Sequence, residues 1–228
     1  MKSTPHKQER ALATRRDLIE AARTIFARDG YESTSVEDIA AAAKKTRGAF
    51  YANFNDKEDV FFAIFEADLL REEGRIQAAL TGAQSEEEKV TVLADHLAAL
   101  LDDRQRLLLN LEFKMYVIRH PQKRRRLNQL YSEMCLRCAM TKISSLMPEL
   151  SEENVEERRC LTTEVGAAMD GLALNALFSP ESITLRQRRR YLRIAVQEAM
   201  RAVKSMRASS VTQAQNATAS VPERLSRV

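Results

Sequence analysis

Lys44-Lys45-Thr46-Arg47 gathers three cations around a hydroxyl, and two small residues, Gly48 and Ala49, follow at once, then Tyr51 and Asn53. Ammonium, guanidinium, hydroxyl and amide groups beside a thinly covered backbone are the partners that phosphate oxygens and base edges accept. Two other basic runs, Lys123-Arg124-Arg125-Arg126 and Arg188-Arg189-Arg190, lack that mixture and read as solvated helix faces. Cys135-Leu136-Arg137-Cys138 is the remaining spacing that suggests chemistry, since paired thiols hold metals and exchange electrons. Both sulfurs share a helical stripe with Leu127, Tyr131 and Met134, far from any helix start, and no second pair or nearby His completes a ligand set. They read as packed thiols, as does Cys160. His6 falls in a leading tail, His120 at a helix start, and His96 beside an apolar face. No nucleophile with a patterned base, no phosphate-binding glycine loop and no metal spacing occurs, so neither an enzyme nor a metal or cofactor is expected.

These residues need elements to hold them. The chain has 228 residues, 44% hydrophobic, with only 6 Gly, 5 Pro and no Trp. Turn-forming residues are too few for an all-β protein, and Ala, Leu, Glu and Arg favour helix, so the expected class is all-α. No apolar run approaches the roughly 18 residues of a membrane span, and Met1–His6 leads into no signal core, so a cytoplasmic protein is expected. The net charge of +4 is unevenly spread, acidic over 57–118 and basic over 119–142 and 186–207. A modest total of this kind can conceal a basic face that meets polyanions.

Helical periodicity begins near Leu12, with Leu18, Ala21, Ala22, Ile25 and Phe26 on one face, and Asp29-Gly30 ends it. Thr34-Ser35 opens a two-turn helix with Val36, Ile39, Ala40 and Ala43 on its apolar side. After the break at Lys44-Lys45-Thr46, a short helix carries Arg47 to Phe54, with Phe50 and Phe54 turned back to pack. Two short helices separated by three residues describe a helix-turn-helix, whose second helix must project polar groups from its first turn into a major groove. Asp56 caps a helix to about Leu80, and 81–84 is a linker. Further helices are expected over 85–102, 104–119, 121–146, 151–178 and from Thr184 to near Arg207. The 104–119 helix is apolar nearly all round and is expected to lie centrally. From Ser209 the chain loses its periodicity and is expected to be disordered.

The run Leu18-Ile19-Glu20-Ala21-Ala22, Phe26, Gly30-Tyr31, Thr34-Ser35-Val36, Ile39-Ala40, Ala43, Thr46-Arg47-Gly48-Ala49-Phe50-Tyr51, Asn53-Phe54 and Asp56-Lys57-Glu58 resembles the N-terminal domain of TetR/AcrR-family transcriptional regulators. Residues 112–127 look like the ligand-binding domain of the BetI-type branch, and Asp170–Leu174 with Phe178 is similar to the family's dimerisation helix. The resemblance implies a homodimer with a three-helix DNA-binding domain, here 12–72, a C-terminal ligand-binding and dimerisation domain, here 73–208, and a tail, here 209–228. It implies a helix-turn-helix over 35–54, a recognition helix over 47–53, and Thr34, Tyr51 and Lys57 on phosphates. With Ser35, Lys44, Lys45, Thr46, Arg47, Gly48, Ala49, Asn53 and Phe54, these are the expected DNA-binding residues. Where the family has Gly and then an apolar residue, this chain has Lys44 and Lys45. The stem of Lys45 is expected to cover apolar surface and to deliver its ammonium to the DNA face.

Small residues along 166–176 permit close helix approach, and the last helix presents apolar residues at helical spacing. Ala168, Gly171, Leu192, Val196, Ala199 and Val203 are therefore the expected two-fold interface. The apolar surplus of 104–119 predicts an apolar cavity for a small-molecule effector lined by Phe113, Tyr116, Met134, Met169 and Phe178, with His96, Asn110 and Asp170 orienting the guest. The expected function is a ligand-responsive repressor released from a palindromic double-stranded DNA operator. A redox or metal sensor acting through Cys135 and Cys138, and a helical interaction module with a degenerate helix-turn-helix, are the alternatives.

Overall fold

A computed structural model describes residues 5–219, with side chains over 8–210 apart from 69, 72 and 138. Among the described residues the chain forms nine helices and no strand: α1 (Pro5–Asp29), α2 (Val36–Ala42), α3 (Arg47–Tyr51), α4 (Lys57–Gly82), α5 (Glu86–Leu100), α6 (Arg104–Arg119), α7 (Pro121–Leu146), α8 (Val155–Phe178) and α9 (Leu185–Ala219). None of them is long and apolar enough to cross a membrane.

Local chemistry explains most of these boundaries. Asp56, Ser85 and Asp103 each accept a backbone N–H three residues on, from Asp59, Glu88 and Arg106, and so start α4, α5 and α6. Thr184 and Gln187 bond reciprocally and start α9. Pro121 begins α7 where its missing N–H costs nothing.

Four expectations change. α1 begins at Pro5 rather than near Leu12, because nothing between Pro5 and Leu12 breaks a helix. Ser151 does not cap α8; its N–H and hydroxyl both donate to Asn154 Oδ1, and the helix begins at Val155. α9 passes Arg207 and reaches Ala219, since Ser209 and Ser210 donate their hydroxyls back to the Ser205 and Met206 carbonyls within the helix. The expected tail beyond 219 lies outside the described residues. Finally, α6 is not covered on all sides, for Met115 and Ile118 are exposed.

Three apolar clusters hold the bundle. The first joins α1–α4 to α6 and α7: Phe26, Tyr31, Phe50, Phe61 and Phe65 meet Phe113, Tyr116, Leu127 and Met134. Phe61 stacks on Phe113 at 5.1 Å, so the two ends of the molecule share one core. The second packs Ile76 and Leu80 of α4 against α5, α7, α8 and Val196, Ala199, Met200 and Val203 of α9. The third gathers Ala94, Ala98, Leu101 and Leu107 with Leu172, Ala173 and Leu192. The domain boundary expected at 72–73 falls inside α4, a helix that runs through both ends.

Candidate nucleic-acid interface

The geometry starts at Ser35. Its side chain accepts from Asp38 N at 3.1 Å while Asp38 Oδ2 accepts from Ser35 N at 2.9 Å, a reciprocal cap that begins α2. The helix ends where Lys44 adopts φ 54°. Lys44 N donates to Ala41 O at 3.0 Å and Lys45 N to Ala40 O at 2.8 Å, the paired closure that normally uses glycine. A side chain in this left-handed conformation costs about 1 kcal/mol relative to Gly. Thr46 then accepts from Ala49 N at 3.1 Å and starts α3. Phe50 and Phe54 are buried with rings 5.6 Å apart, which fixes how α3 leans on the core.

What remains outside is a polar face. Ser35, Lys44, Thr46, Arg47, Gly48 and Tyr51 are exposed, and Ala49 and Asn53 are half-buried. Arg47 lies 5.5 Å from the Tyr51 ring and pairs with Glu37 at 2.9 Å, an exposed pair that a phosphate can replace. A methyl added at Gly48 would meet nothing closer than Thr46 Oγ1 at 3.8 Å, so the fold itself does not need glycine there. Asn53 Nδ2 donates to Ala49 O at 2.8 Å and is spent on the helix end.

Four expected contacts are placed elsewhere. Thr34 is buried and donates to Gly30 O at 2.8 Å, which fixes the α1–α2 turn. Lys57 Nζ donates to the carbonyls of Tyr31 at 2.6 Å, Thr34 at 2.8 Å and Glu32 at 3.3 Å, so it ties that turn to α4. Burial holds its ammonium below the usual lysine range despite the nearby Glu32. Phe54 is core. Lys45 is half-buried, and its ammonium pairs with Asp17 of α1 at 3.0 Å. Sequence reasoning passed over Arg15, which covers the Phe54 ring at 4.4 Å and donates to Asn53 O at 3.2 Å, clamping α3 from beneath. The only sequence signal for it is a cation one turn before Leu18.

A second polar group joins this head to the rest. Glu58, in the first turn of α4, is buried and accepts from Lys123 Nζ at 2.6 Å and Tyr116 OH at 2.9 Å, with Arg126 at 3.6 Å. Burial pushes its carboxyl up, but the bonds from Lys123 and Tyr116 and the two cations outweigh burial and hold it below the ordinary range. Tyr116 also packs on Tyr31 at 4.6 Å, and Glu112 accepts from Tyr31 N at 3.1 Å. Arg119 reaches Glu32 at 3.0 Å. A buried pair, Arg23 with Asp68, ties α1 to α4.

The expected effector residues do not converge on one cavity. Phe113, Tyr116 and Met134 are packed in the first cluster, so their surface is already filled. Phe178 is 87% exposed. Asn110 accepts from Tyr131 OH at 3.0 Å and donates to Asp170 at 3.4 Å, and Lys114 pairs with Asp170. Met169 is partly buried against the third cluster. His96 lines a cavity of about 250 Å³ with Asp68, Arg71, Asp103 and Arg106, polar where an apolar lining was expected. The interface expectation changes as well. Leu192, Val196, Ala199 and Val203 are wholly buried within their own protomer, because α9 turns this face to α5 and α8. Gly171 is exposed and Ala168 half-buried. Burial pushes both the Cys135 and the Cys160 thiols up, and Glu164, 3.4 Å from Cys160 Sγ, adds to it there, so both sulfurs are kept protonated. The side chain of Cys138 lies outside the described residues.

Comparison with known proteins bears on the same residues. Residues 18–64 match the model of bacterial regulatory proteins of the tetR family. The chain is 29% identical over 203 residues to the HTH-type transcriptional regulator AcrR of Shigella flexneri, covering 81% of this chain and 87% of that one. It is 40% identical over 58 residues to the HTH-type transcriptional repressor AcnR of Corynebacterium glutamicum, 25% of this chain and 31% of the relative. The fold is similar to the transcriptional regulator FadR of Bacillus subtilis solved in complex with stearoyl-CoA, with a TM-score of 0.55 at 21% identity over 79% of this chain and 96% of that one. Over residues 18–64 the chain carries the tetR-family regulatory domain, and along most of its length it is similar to TetR/AcrR-family transcriptional regulators.

Proposed function

We propose that the chain acts as a homodimeric repressor that reads a near-palindromic DNA operator through α3 and leaves it when a small molecule binds the C-terminal helices. The observation that carries this reading is the exposed face of Thr46, Arg47, Gly48 and Tyr51, where a glycine without internal purpose sits beside cationic and hydroxyl groups. Such a face suits a backbone that must approach a duplex closely. Ser35 and Lys44, at either end of α2, flank it.

Dimer formation is supported by apolar surface that the protomer leaves outside. Gly171, Leu174 and Phe178 follow helical spacing on α8, and Tyr191 and Ile194 on α9, all exposed. Repressor action is supported by AcnR, which carries that word in its name, and effector response by FadR, which was solved with an acyl-CoA. The half-buried Asn110–Asp170–Lys114 group is the candidate recognition point inside the bundle. The Glu58–Tyr116–Lys123 bonds would carry a shift of α6 and α7 to the reading head. Release by a factor of ten needs about 1.4 kcal/mol of preference for the non-binding shape.

Selection of duplexes from a random pool by the full chain tests this reading. The expected product is an inverted repeat whose half-sites are centred about one helical turn apart. A pool that never enriches, or a single half-site without symmetry, would sink it.

A further inference from the structure

The run Lys123-Arg124-Arg125-Arg126 is divided by helical spacing into two pairs with different work. Lys123 and Arg126, three residues apart, turn toward Glu58. Arg124 and Arg125 turn away and, with Arg159 from α8, line an open groove of about 500 Å³ between α7 and α8. Among the described residues none of these three guanidinium groups has an ion pair or a hydrogen bond. Some surface arginines are neutralised instead, Arg188 by Asp102, Arg189 by Asp95 and Arg119 by Glu32; what sets Arg124, Arg125 and Arg159 apart is that they line one concavity. The one carboxylate on the groove wall, Glu133, is engaged by Gln129 Nε2 at 2.9 Å. Three like charges on one concave wall repel one another, and an anion removes that repulsion.

The chemistry of the wall selects the anion. A guanidinium presents a planar fork of donors that matches phosphate oxygens two at a time. Asn128 and Ser132 add neutral donors and acceptors beside the arginines. The first turn of α7 has no side-chain cap, so its helix dipole adds positive potential at the Arg124 end. The volume lies within the range of small-molecule sites. A long polyanion fits less well, because Glu156 and Glu157 in the first turn of α8 interrupt the basic surface beside Arg159. We propose that the α7–α8 groove binds a small molecule carrying several phosphate groups, held between Arg124 and Arg125 on one side and Arg159 on the other. This site is separate from the α3 face and does not depend on the operator reading given above.

Calorimetric titration of the full chain with inorganic tripolyphosphate, at about 0.1 M salt to screen diffuse attraction, tests the proposal. Saturable binding at one equivalent per protomer is expected, with inorganic orthophosphate at least about tenfold weaker. R124Q, R125Q and R159Q should each weaken tripolyphosphate about tenfold, and E133Q should strengthen it. All these side chains are exposed, so unchanged melting curves will show that the variants fold. R190Q, on exposed α9 surface, serves as the charge control and should stay within about twofold. The proposal is overturned if no saturable binding occurs, or if R190Q loses as much as R159Q, which would mean bulk charge alone. It is also overturned if the groove variants weaken binding to duplex DNA while tripolyphosphate never binds, which would make the groove a flanking DNA contact.

Discussion

Two residues in the reading head separate folding from function. Gly48 has room for a methyl group, which would meet only Thr46 Oγ1 at 3.8 Å. Gly48→Ala should therefore leave stability unchanged or raise it by up to about 1 kcal/mol through helix propensity, while weakening DNA binding. Thermal melting and operator titration on the same variant check this, and a variant that binds DNA normally would remove Gly48 from the contact surface. Lys44 presents the reverse case, since its φ of 54° is a cost built into the turn. Lys44→Gly should stabilise the chain by about 1 kcal/mol in denaturant melts. The neighbourhood also shows where sequence reading reaches its limit. Ser35 and Thr46 as caps, and Phe50 as packing, follow from local rules that depend on neighbours three or four residues away. The fates of Lys57 and Lys45 depend on partners 23 and more residues distant, the carbonyls of the α1–α2 turn and Asp17, and no local pattern announces them.

Among the helices, the decisive contact is between the start of α4 and the α6–α7 corner. Glu58 holds Tyr116 and Lys123 together there, and its carboxyl lies below the ordinary range in the folded chain. A depressed carboxylate contributes stability that is complete above its unfolded pKa, about 4.3, and is lost as pH falls through the folded value. Glu58→Gln should thus destabilise the protein by about 1–3 kcal/mol near neutrality, by leaving Lys123 poorly matched. The gap between wild type and variant should narrow in acid melts from about pH 6 to about pH 3. A gap that stays constant would mean that the carboxylate's ionisation is irrelevant to the corner. The helices themselves were readable because their caps and breakers are local. The direction in which each apolar stripe faces was less so: α9 carries Leu192, Val196, Ala199 and Val203 at a spacing that suits a core and an interface equally. Only the packing of α5 and α8 against it decides for the core.

In the molecule as a whole, that decision moves the expected dimer face outward, to Leu174 and Phe178 on α8 and to Tyr191 and Ile194 on α9. Phe178→Glu should give a folded monomer by sedimentation, because an exposed position tolerates charge in the protomer but not within a two-fold contact. Ala199→Glu should instead unfold the chain, since that site is wholly buried. A Phe178→Glu variant that remains dimeric would place the contact on another face. The effector cavity was the least readable feature, because apolar excess on α6 signals either a cavity or a filled core. Phe113, Tyr116 and Met134 fill the core that joins both ends, which makes the reading head and the C-terminal helices one mechanical body.

The account rests on α3 as the DNA-reading element, and the most direct test is the affinity of the full chain for its selected duplex over a salt series, compared with Arg47→Ala and Tyr51→Ala. Wild type should weaken steeply and linearly in log salt through counterion release. Each variant should fold normally and lose about 1–3 kcal/mol of binding, with a shallower salt slope for Arg47→Ala. Equal affinities and equal slopes for all three proteins would contradict the central claim.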